Sequence, residues 1–206
     1  MKSVLIVCVM VVLVMSMANI GAAADEKVLY DFEKGLGGWS IPEWALKQAD
    51  QVAKGAITSD AFASSGTHSM EVVADFPGSI WTGAYVEIME YLDISDYEEL
   101  LVDVYIPEDA PEGLKARAIF TAGENWSFLE MKKAVALIPG QWRTVRADLD
   151  GGGRVWKNSA SAPNMASDVR KVGVRVESNQ KPTYKGPFYI DNIRAANPEA
   201  AEVSVE

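Results

Sequence analysis

The sequence predicts an all-β fold, an antiparallel β-sandwich of the jelly-roll type. Apolar residues recur at every second position in many short runs, and few stretches have the period of a helix. In the run 100–106 all even-numbered positions are apolar, as expected of a strand with one face in a core. Turn-forming pairs such as Pro77-Gly78 and Pro139-Gly140 separate the runs. Many short strands with this spacing are typical of sandwiches and jelly rolls.

Nine runs are predicted to be strands. In one of them Arg175 and Glu177 alternate with valines, so their side chains are expected to point away from the core. Two connections, 36–66 and 150–168, are long and polar and carry tryptophans, and loops of that length are usually functional or disordered. The predicted strands are 28–32, 68–74, 84–88, 100–106, 114–121, 131–137, 142–149, 169–177 and 187–194.

Residues 1–24 have the pattern of a secretory signal peptide. Lys2 supplies the basic start, 4–15 form an apolar run, and three alanines at 22–24 offer a cleavage site. The alternative is a single membrane anchor, which needs about 20 apolar residues. Because Ser16 and Asn19 interrupt the run, we predict cleavage, a secreted or periplasmic location, and no stable membrane insertion afterwards.

The remaining chain is predicted to be one β-jelly-roll domain, 25–196, followed by a flexible acidic tail, 197–206. Cys8 is the sole cysteine and lies in the signal segment, so the domain is expected to contain no disulfide. Its stability must then come from core packing or from a bound ion. We predict a monomer.

The charge balance argues against nucleic acid as a partner. The chain has 19 basic and 29 acidic residues, and removal of Lys2 with the signal peptide changes the net charge from -10 to -11. An acidic surface repels phosphate backbones. The expected partner is therefore of another class.

Several short motifs occur in a characteristic order. They are Tyr-Asp-Phe-Glu-Lys-Gly at 30–35, Gly-Trp at 38–39, Gly-Thr-His-Ser-Met at 66–70, Ile-Pro-Gly-Gln-Trp-Arg-Thr-Val at 138–145 and Phe-Tyr-Ile-Asp-Asn-Ile at 188–193. Together they resemble the galactose-binding-like jelly roll of carbohydrate-binding modules, which are non-catalytic and accompany plant-polysaccharide hydrolases, including binders of β-mannan and β-glucan. The resemblance implies that this domain binds a polysaccharide or oligosaccharide and does not cleave it.

The same resemblance implies a structural calcium ion where the first and last strands meet. Asp31 and Glu33 are two residues apart and would face one side of a strand, and Asp191 would come from the last strand. Calcium takes six to eight oxygen ligands, which these carboxylates could supply with backbone carbonyls and water. The alternative is that they are surface acids of an acidic protein.

The six tryptophans fall into two groups. Trp39 and Trp142 match positions that pack structurally in the family. Four others lie in or beside polar loops and are predicted to stack on sugar rings, whose flat C–H faces suit an indole. The alternative for each is that it covers the edge of the core. The four are Trp44, Trp81, Trp126 and Trp156.

Four polar residues are predicted partners for sugar hydroxyls. Arg117, Arg175 and Glu177 alternate outward from apolar neighbours, and Asn125 precedes Trp126. The competing interpretation is a solvated surface without a function.

Two other functions stay open from the sequence. A small secreted glycoside hydrolase or polysaccharide lyase would need paired acids, for which Glu87, Glu130 and Glu177 are available. The single histidine, His68, excludes a zinc site built on several histidines. The second alternative is a structural or adhesive envelope protein, which would expose apolar patches instead of a tryptophan-lined groove.

Overall fold

A computed structural model describes residues 25–198, which form two antiparallel sheets packed face to face. The predicted sandwich is therefore confirmed. The strands are β1 Glu26–Tyr30, β2 Ala53–Ser59, β3 Ser69–Pro77, β4 Trp81–Leu92, β5 Glu99–Tyr105, β6 Lys115–Ala122, β7 Ser127–Glu130, β8 Val135–Ala136, β9 Trp142–Asp148, β10 Val169–Asn179 and β11 Thr183–Ala196.

The first sheet has six strands, in the order β2-β3-β11-β5-β9, with β1 also paired to β11. The long strand β11 organises it. Its first half pairs with β3, up to Ile190 opposite Met70, and its second half pairs with β1, where Ile193 lies opposite Tyr30. As a result β1 and β3 lie end to end along one edge of β11, and β5 pairs along the other edge.

The second sheet has five strands, in the order β4-β10-β6-β7, with β8 also paired to β6. Strand β10 is central and pairs with β4 on one side and with β6 on the other. Every second side chain of this sheet points into the core, for example Val172, Val174 and Val176 in β10, which are fully buried. The side chains between them face away from the core.

The core fills the space between the two sheets and joins both into one hydrophobic cluster. Its largest fully buried side chains include aromatic residues from both sheets and from the connections. Burial of each such ring removes an apolar surface from water that is worth about 2 kcal/mol or more. These aromatic residues are Trp39, Phe76, Phe120, Trp156 and Phe188.

Three strand assignments differ from the prediction. Strand β2 lies in the connection 36–66 and is not predicted by the sequence, because its stretch Ala53-Lys54-Gly55-Ala56 has few β-branched residues. Strand β7 also forms outside the predicted strands, and the predicted strand 131–137 is wrong. Only the two-residue β8 lies within 131–137, and β7 and β8 pair with different parts of β6.

The long connections contain short helices. Helix α1, Glu43–Leu46, follows β1, and helix α2, Gly152–Val155, follows β9 together with two 3₁₀ turns, Ser159–Ser161 and Met165–Ser167. Over residues 25–198 there is no helix with the length and apolar character needed to cross a bilayer.

The predicted signal peptide and most of the predicted tail, 199–206, lie outside the described residues. Asn197, the first tail residue, is tied to the domain: its backbone N–H donates to the carbonyl of Asp25 at 2.9 Å, and its side chain accepts from the N–H of Glu98 at 3.0 Å.

Candidate functional site

The candidate site is the outer face of the five-stranded sheet, the side turned away from the core. We call this surface the outer face. Its residues alternate along each strand with core residues. They are Trp81, Gly83, Tyr85 and Glu87 of β4, Gly173, Arg175 and Glu177 of β10, Arg117 of β6 and Glu130 of β7.

The connection after β1 places a tryptophan over this face. It runs along the free edge of β4 and is fixed at two points: the backbones of Ser40 and Glu87 exchange both hydrogen bonds, and Gly83 bonds to Asp50 and Val52. Between these points α1 carries Trp44, whose ring centroid lies 5.4 Å from that of Tyr85. Trp44 is 40% exposed, so part of its ring is available to a ligand.

A second tryptophan lies at the start of β4. The ring of Trp81 covers the guanidinium of Arg175, with 5.1 Å between the guanidinium carbon and the ring centroid. Arg175 lies directly opposite Tyr85 in the sheet. These side chains therefore form a continuous row of two indoles with a phenol and a guanidinium between them. Their order along the row is Trp44, Tyr85, Arg175, Trp81.

Two glycines allow this row to lie flat on the sheet. A Cβ atom at Gly83 would lie 2.7 Å from Cδ of Arg175, and one at Gly173 would lie 2.3 Å from the hydroxyl oxygen of Tyr85. Neither glycine has a positive φ. Their role is to leave space, since any larger residue would lift Arg175 or Tyr85 away from the backbone.

The predicted polar residues Arg117, Arg175 and Glu177 are brought together and join Glu130 in one ion-pair network. Arg117 donates to Glu130 at 2.8 Å and also to Glu177. Arg175 lies 2.9 Å from Glu130 and donates to Glu177 at 3.1 Å. All four side chains are about one-tenth exposed. Groups paired this way are held rigidly, because removal of one partner would leave an unpaired buried charge.

A second polar group of three side chains lies beside Gly173. The hydroxyl of Tyr85 donates to Glu87 at 2.9 Å, and Lys171 donates to the same carboxylate at 2.6 Å. Burial, followed by the nearby Glu87 charge, raises the pKa of Tyr85 well above its usual value. Tyr85 therefore stays protonated and keeps its role as a donor.

Trp126 and Asn125 lie elsewhere. They belong to the turn between β6 and β7, and Trp126 packs edge-on against Tyr91 at the far end of β4 and under Arg170. Trp81 and Tyr91 are ten residues apart on one strand, which at about 3.3 Å per residue places them roughly 30 Å apart. The structure does not bring Trp126 and Asn125 together with the row around Arg175.

The prediction that Trp156 stacks on a ligand is not supported. The ring is 1% exposed, stacks on Phe120 in the core at 5.2 Å, and donates through Nε1 to the carbonyl of Asp148 at 2.7 Å. Trp39 is buried and Trp142 is half-buried against Tyr105, in line with the packing roles expected for both.

The three predicted calcium ligands lie near the junction of β1 and β11 but do not form a three-carboxylate group. The Glu33 carboxylate accepts the backbone N–H groups of Thr67 and His68 at 2.8 and 2.7 Å. These bonds, that of His68 first, lower the pKa of Glu33 to about 2. Asp31 is exposed and accepts the N–H of Glu33 at 3.2 Å.

Asp191 is buried and accepts hydrogen bonds from the loop before β3. Its carboxylate accepts the backbone N–H groups of Ser64 and Ser65 at 2.8 and 3.0 Å. Burial raises the pKa of Asp191, and these hydrogen bonds act in the opposite direction. Nowhere in residues 25–198 do three Asp, Glu, His or Cys side chains gather as a metal site requires. As arranged, the three carboxylates do not fit a shared ion, and calcium binding stays a prediction.

The sequence analysis did not identify Tyr85, a member of the row that is not a tryptophan. Tyr85 could have been identified, because it alternates with Ala84 and Val86 and must therefore face outward. From the sequence, Glu87 and Glu130 are candidates only as catalytic acids. Their pairing with Lys171, Arg117 and Arg175 depends on strand register, which the sequence does not reveal.

A two-sheet jelly roll with an aromatic and charged outer face defines a galactose-binding-like β-sandwich. The chain belongs to the family described as "Mannanase, galactose-binding domain-like", whose family model matches residues 30–192. No curated protein sequence matches the chain significantly.

Several solved structures with the same fold are carbohydrate-binding modules. CBM27-1 of Caldicellulosiruptor saccharolyticus, in complex with mannohexaose, has a TM-score of 0.59 at 15% identity and covers 85% of this chain and 99% of its own. CBM28, specific for non-crystalline cellulose, has a TM-score of 0.60 at 14% identity, covering 82% and 94%. The family 11 module of a cellulosomal cellulase of Clostridium thermocellum has a TM-score of 0.53 at 16% identity, covering 88% and 99%.

Proposed function

We propose that this protein binds a β-linked polysaccharide, of the mannan or glucan class, on the outer face and does not cleave it. The observation that carries the proposal is the row from Trp44 to Trp81. Two partly exposed indoles can each take a sugar ring, while the charged groups between them can bond to hydroxyls.

The similar structures support the ligand class. CBM27-1 holds mannohexaose, and a family 11 module of the same fold holds a β-1,3-1,4-mixed-linked tetrasaccharide. These ligands have six and four sugar rings, which is long enough to contact two aromatic rings. Membership in the mannanase-associated family makes mannan the first candidate.

The state of the carboxylates argues against cleavage by these acids. A glycosidase needs an acid that holds its proton near neutral pH, usually through a raised pKa. Burial raises the pKa of Glu130, but its hydrogen bond with Lys157 and the charges of Arg175 and Arg117 outweigh burial, so the pKa lies below its usual value. Glu177 and Glu87 are paired with arginine and lysine.

Export of the protein and a monomeric state are part of the same proposal. They rest on the signal-like pattern at 1–24 and on the enclosure of both core faces within one chain. N-terminal sequencing of the protein from culture fractions, and sedimentation of the purified protein, test these two points.

Binding should depend on Trp44 and Trp81. We expect Trp44→Ala and Trp81→Ala each to lower the affinity for mannohexaose or for β-1,3-1,4-glucan at least tenfold, since one stacked sugar ring is lost. Isothermal titration calorimetry and retardation in polysaccharide-containing gels measure this. Catalysis is tested separately by release of reducing sugar, which we expect to be absent.

The matched control is Trp126→Ala. Trp126 is 41% exposed, nearly the same as Trp44, but it lies at the other end of β4. We expect this variant to bind like the native protein. Loss of binding with Trp126→Ala alone, or tight binding by both Trp44→Ala and Trp81→Ala, would contradict the site.

A further inference from the structure

A second pocket lies beside the outer face, at one edge of the sandwich. It has a volume of about 630 Å³ and is lined by residues of β6, β8, β9 and α2 and of the turn before β8. Its apolar floor includes Val135 and Val155. Five of the lining side chains are basic and one, Asp148, is acidic. The basic residues are Lys115, Lys133, Arg143, Arg146 and Arg154.

This pocket has the opposite charge to the whole protein. The chain carries 29 acidic and 19 basic residues, so a random surface patch is expected to be acidic. Five cations around one cavity repel each other, which costs folding free energy unless anions compensate. The arrangement therefore points to an anionic ligand.

The cations are largely free to bind one. Arg146 forms an ion pair with Glu99 at 2.6 Å. Lys115, Lys133, Arg143 and Arg154 make no ion pair within the described part of the chain. Arginine can hold a carboxylate or a sulfate with two parallel N–H bonds, and lysine adds a mobile charge.

The pocket is continuous with the outer face. A neighbouring depression of about 510 Å³ contains Trp81, Arg117 and Glu177 from that face. It shares Lys115, Lys133 and Ala134 with the basic pocket. A glycan lying against Trp81 can therefore extend over Lys115 into the basic pocket without leaving the surface.

The geometry points to a subsite for an anionic substituent, a carboxylate or a sulfate, on the polysaccharide that the outer face binds. This inference rests on the proposed function and names its ligand class more closely, as an acidic glycan. A neutral glycan would occupy the row from Trp44 to Trp81 only. An acidic glycan would add charge-assisted hydrogen bonds from Lys133 and Arg154, which are both exposed.

The test compares matched ligands that differ in charge alone. Mannan and β-1,3-1,4-glucan are used in neutral form, after oxidation of the primary hydroxyls to carboxylates, and after partial sulfation. We expect the native protein to bind at least one charged form about fivefold more tightly than the neutral form at low salt, and the gain to shrink at 0.5 M salt. The charged form with the larger gain in affinity, carboxylated or sulfated, identifies the substituent that the pocket binds.

The variant Lys133→Ala with Arg154→Ala should lose this gain and keep its affinity for the neutral glycan. Its control, Lys54→Ala with Lys185→Ala, removes two exposed cations from the six-stranded sheet and should keep the gain. The inference is overturned if both charged forms bind no better than the neutral one, or if the gain survives the first double variant.

Failure of the proposed function gives a different result. In that case neither neutral nor charged polysaccharide binds, or the neutral glycan binds tightly to both Trp44→Ala and Trp81→Ala. The subsite alone is overturned if Trp81→Ala weakens binding of the neutral glycan but leaves binding of the charged forms intact, because the anion would then bind independently of the glycan row.

Discussion

Single residues control how closely the row from Trp44 to Trp81 approaches the sheet. Gly83 lies beneath Arg175 and Gly173 lies beneath Tyr85, and both glycines have ordinary strand geometry. The absence of a side chain at each position lets a long or bulky neighbour lie across the backbone. The row can then present the side of Arg175 and the ring of Tyr85 to a flat ligand.

Gly83→Ala should weaken glycan binding more than it weakens the fold. The added Cβ would lie 2.7 Å from Cδ of the flexible Arg175 side chain, which must therefore move, and it would come into contact with the Trp81 ring at 3.4 Å. We expect a loss of affinity of at least threefold, measured by calorimetry, with a loss of stability of about 1 kcal/mol from overpacking.

Gly55→Ala is the matched control, because a Cβ at this strand glycine of β2 meets nothing within 4 Å. Its affinity should equal that of the native protein. If Gly83→Ala also binds with native affinity, the close approach of Arg175 and Trp81 to the sheet plays no part in binding.

For single residues, the sequence predicts to which face of a strand a side chain points, but not which side chains it contacts in the fold. Alternation placed Arg117, Arg175 and Glu177 on an outward face, and the structure agrees. The prediction that Trp156 contacts a ligand failed because the preceding residues, Arg154 and Val155, are exposed and half-buried. The chain nevertheless turns the Trp156 ring inward onto Phe120. A turn into the core depends on tertiary packing, which the local sequence does not encode.

Hydrogen bonds from backbone N–H groups to two carboxylates connect β1 and β11 with the segment before β3. Glu33, after β1, binds two N–H groups just before β3, and Asp191 of β11 binds two N–H groups of the preceding loop. Charge-assisted bonds of this kind are about twice as strong as neutral ones. They hold the loop 60–68 against the sheet.

The calcium prediction can be measured directly. If the ion binds the native state, addition of calcium chloride should raise the melting temperature by about 5 °C and a chelator should reverse the rise. Differential scanning calorimetry, with magnesium as the control ion, gives the answer. A melting curve that neither calcium nor the chelator moves would show that the hydrogen bonds of Glu33 and Asp191 suffice.

Elements with strong alternation were predictable and irregular ones were not. Strands β5 and β10 have clear period-two patterns and were predicted almost to the residue. Strand β2 and helix α1 lie in a connection of small and polar residues. Strand β2 forms because it pairs with β3, and α1 lies between the two points at which this connection bonds to the edge of β4. Such pairing is a tertiary effect that overrides local propensity.

The whole molecule is acidic, but its charges are unevenly distributed. On the outer face the carboxylates of Glu130 and Glu177 match Arg117 and Arg175, whereas the adjoining pocket is basic. Both surfaces carry hydrogen-bond donors, as the proposed recognition of hydroxyl and carboxylate groups requires. The sandwich supplies the rigid base on which these groups are held.

The most direct test of the account is a titration of ¹⁵N-labelled protein with mannohexaose and with mixed-linked β-glucotetraose, followed through the tryptophan indole N–H resonances. Six indoles report on six places in the fold. If the glycan binds on the outer face, the resonances of Trp44 and Trp81 shift on saturation while those of the core residues Trp39 and Trp156 do not. Shifts confined to Trp126, or none at Trp44 and Trp81 with either sugar, would contradict binding on the outer face.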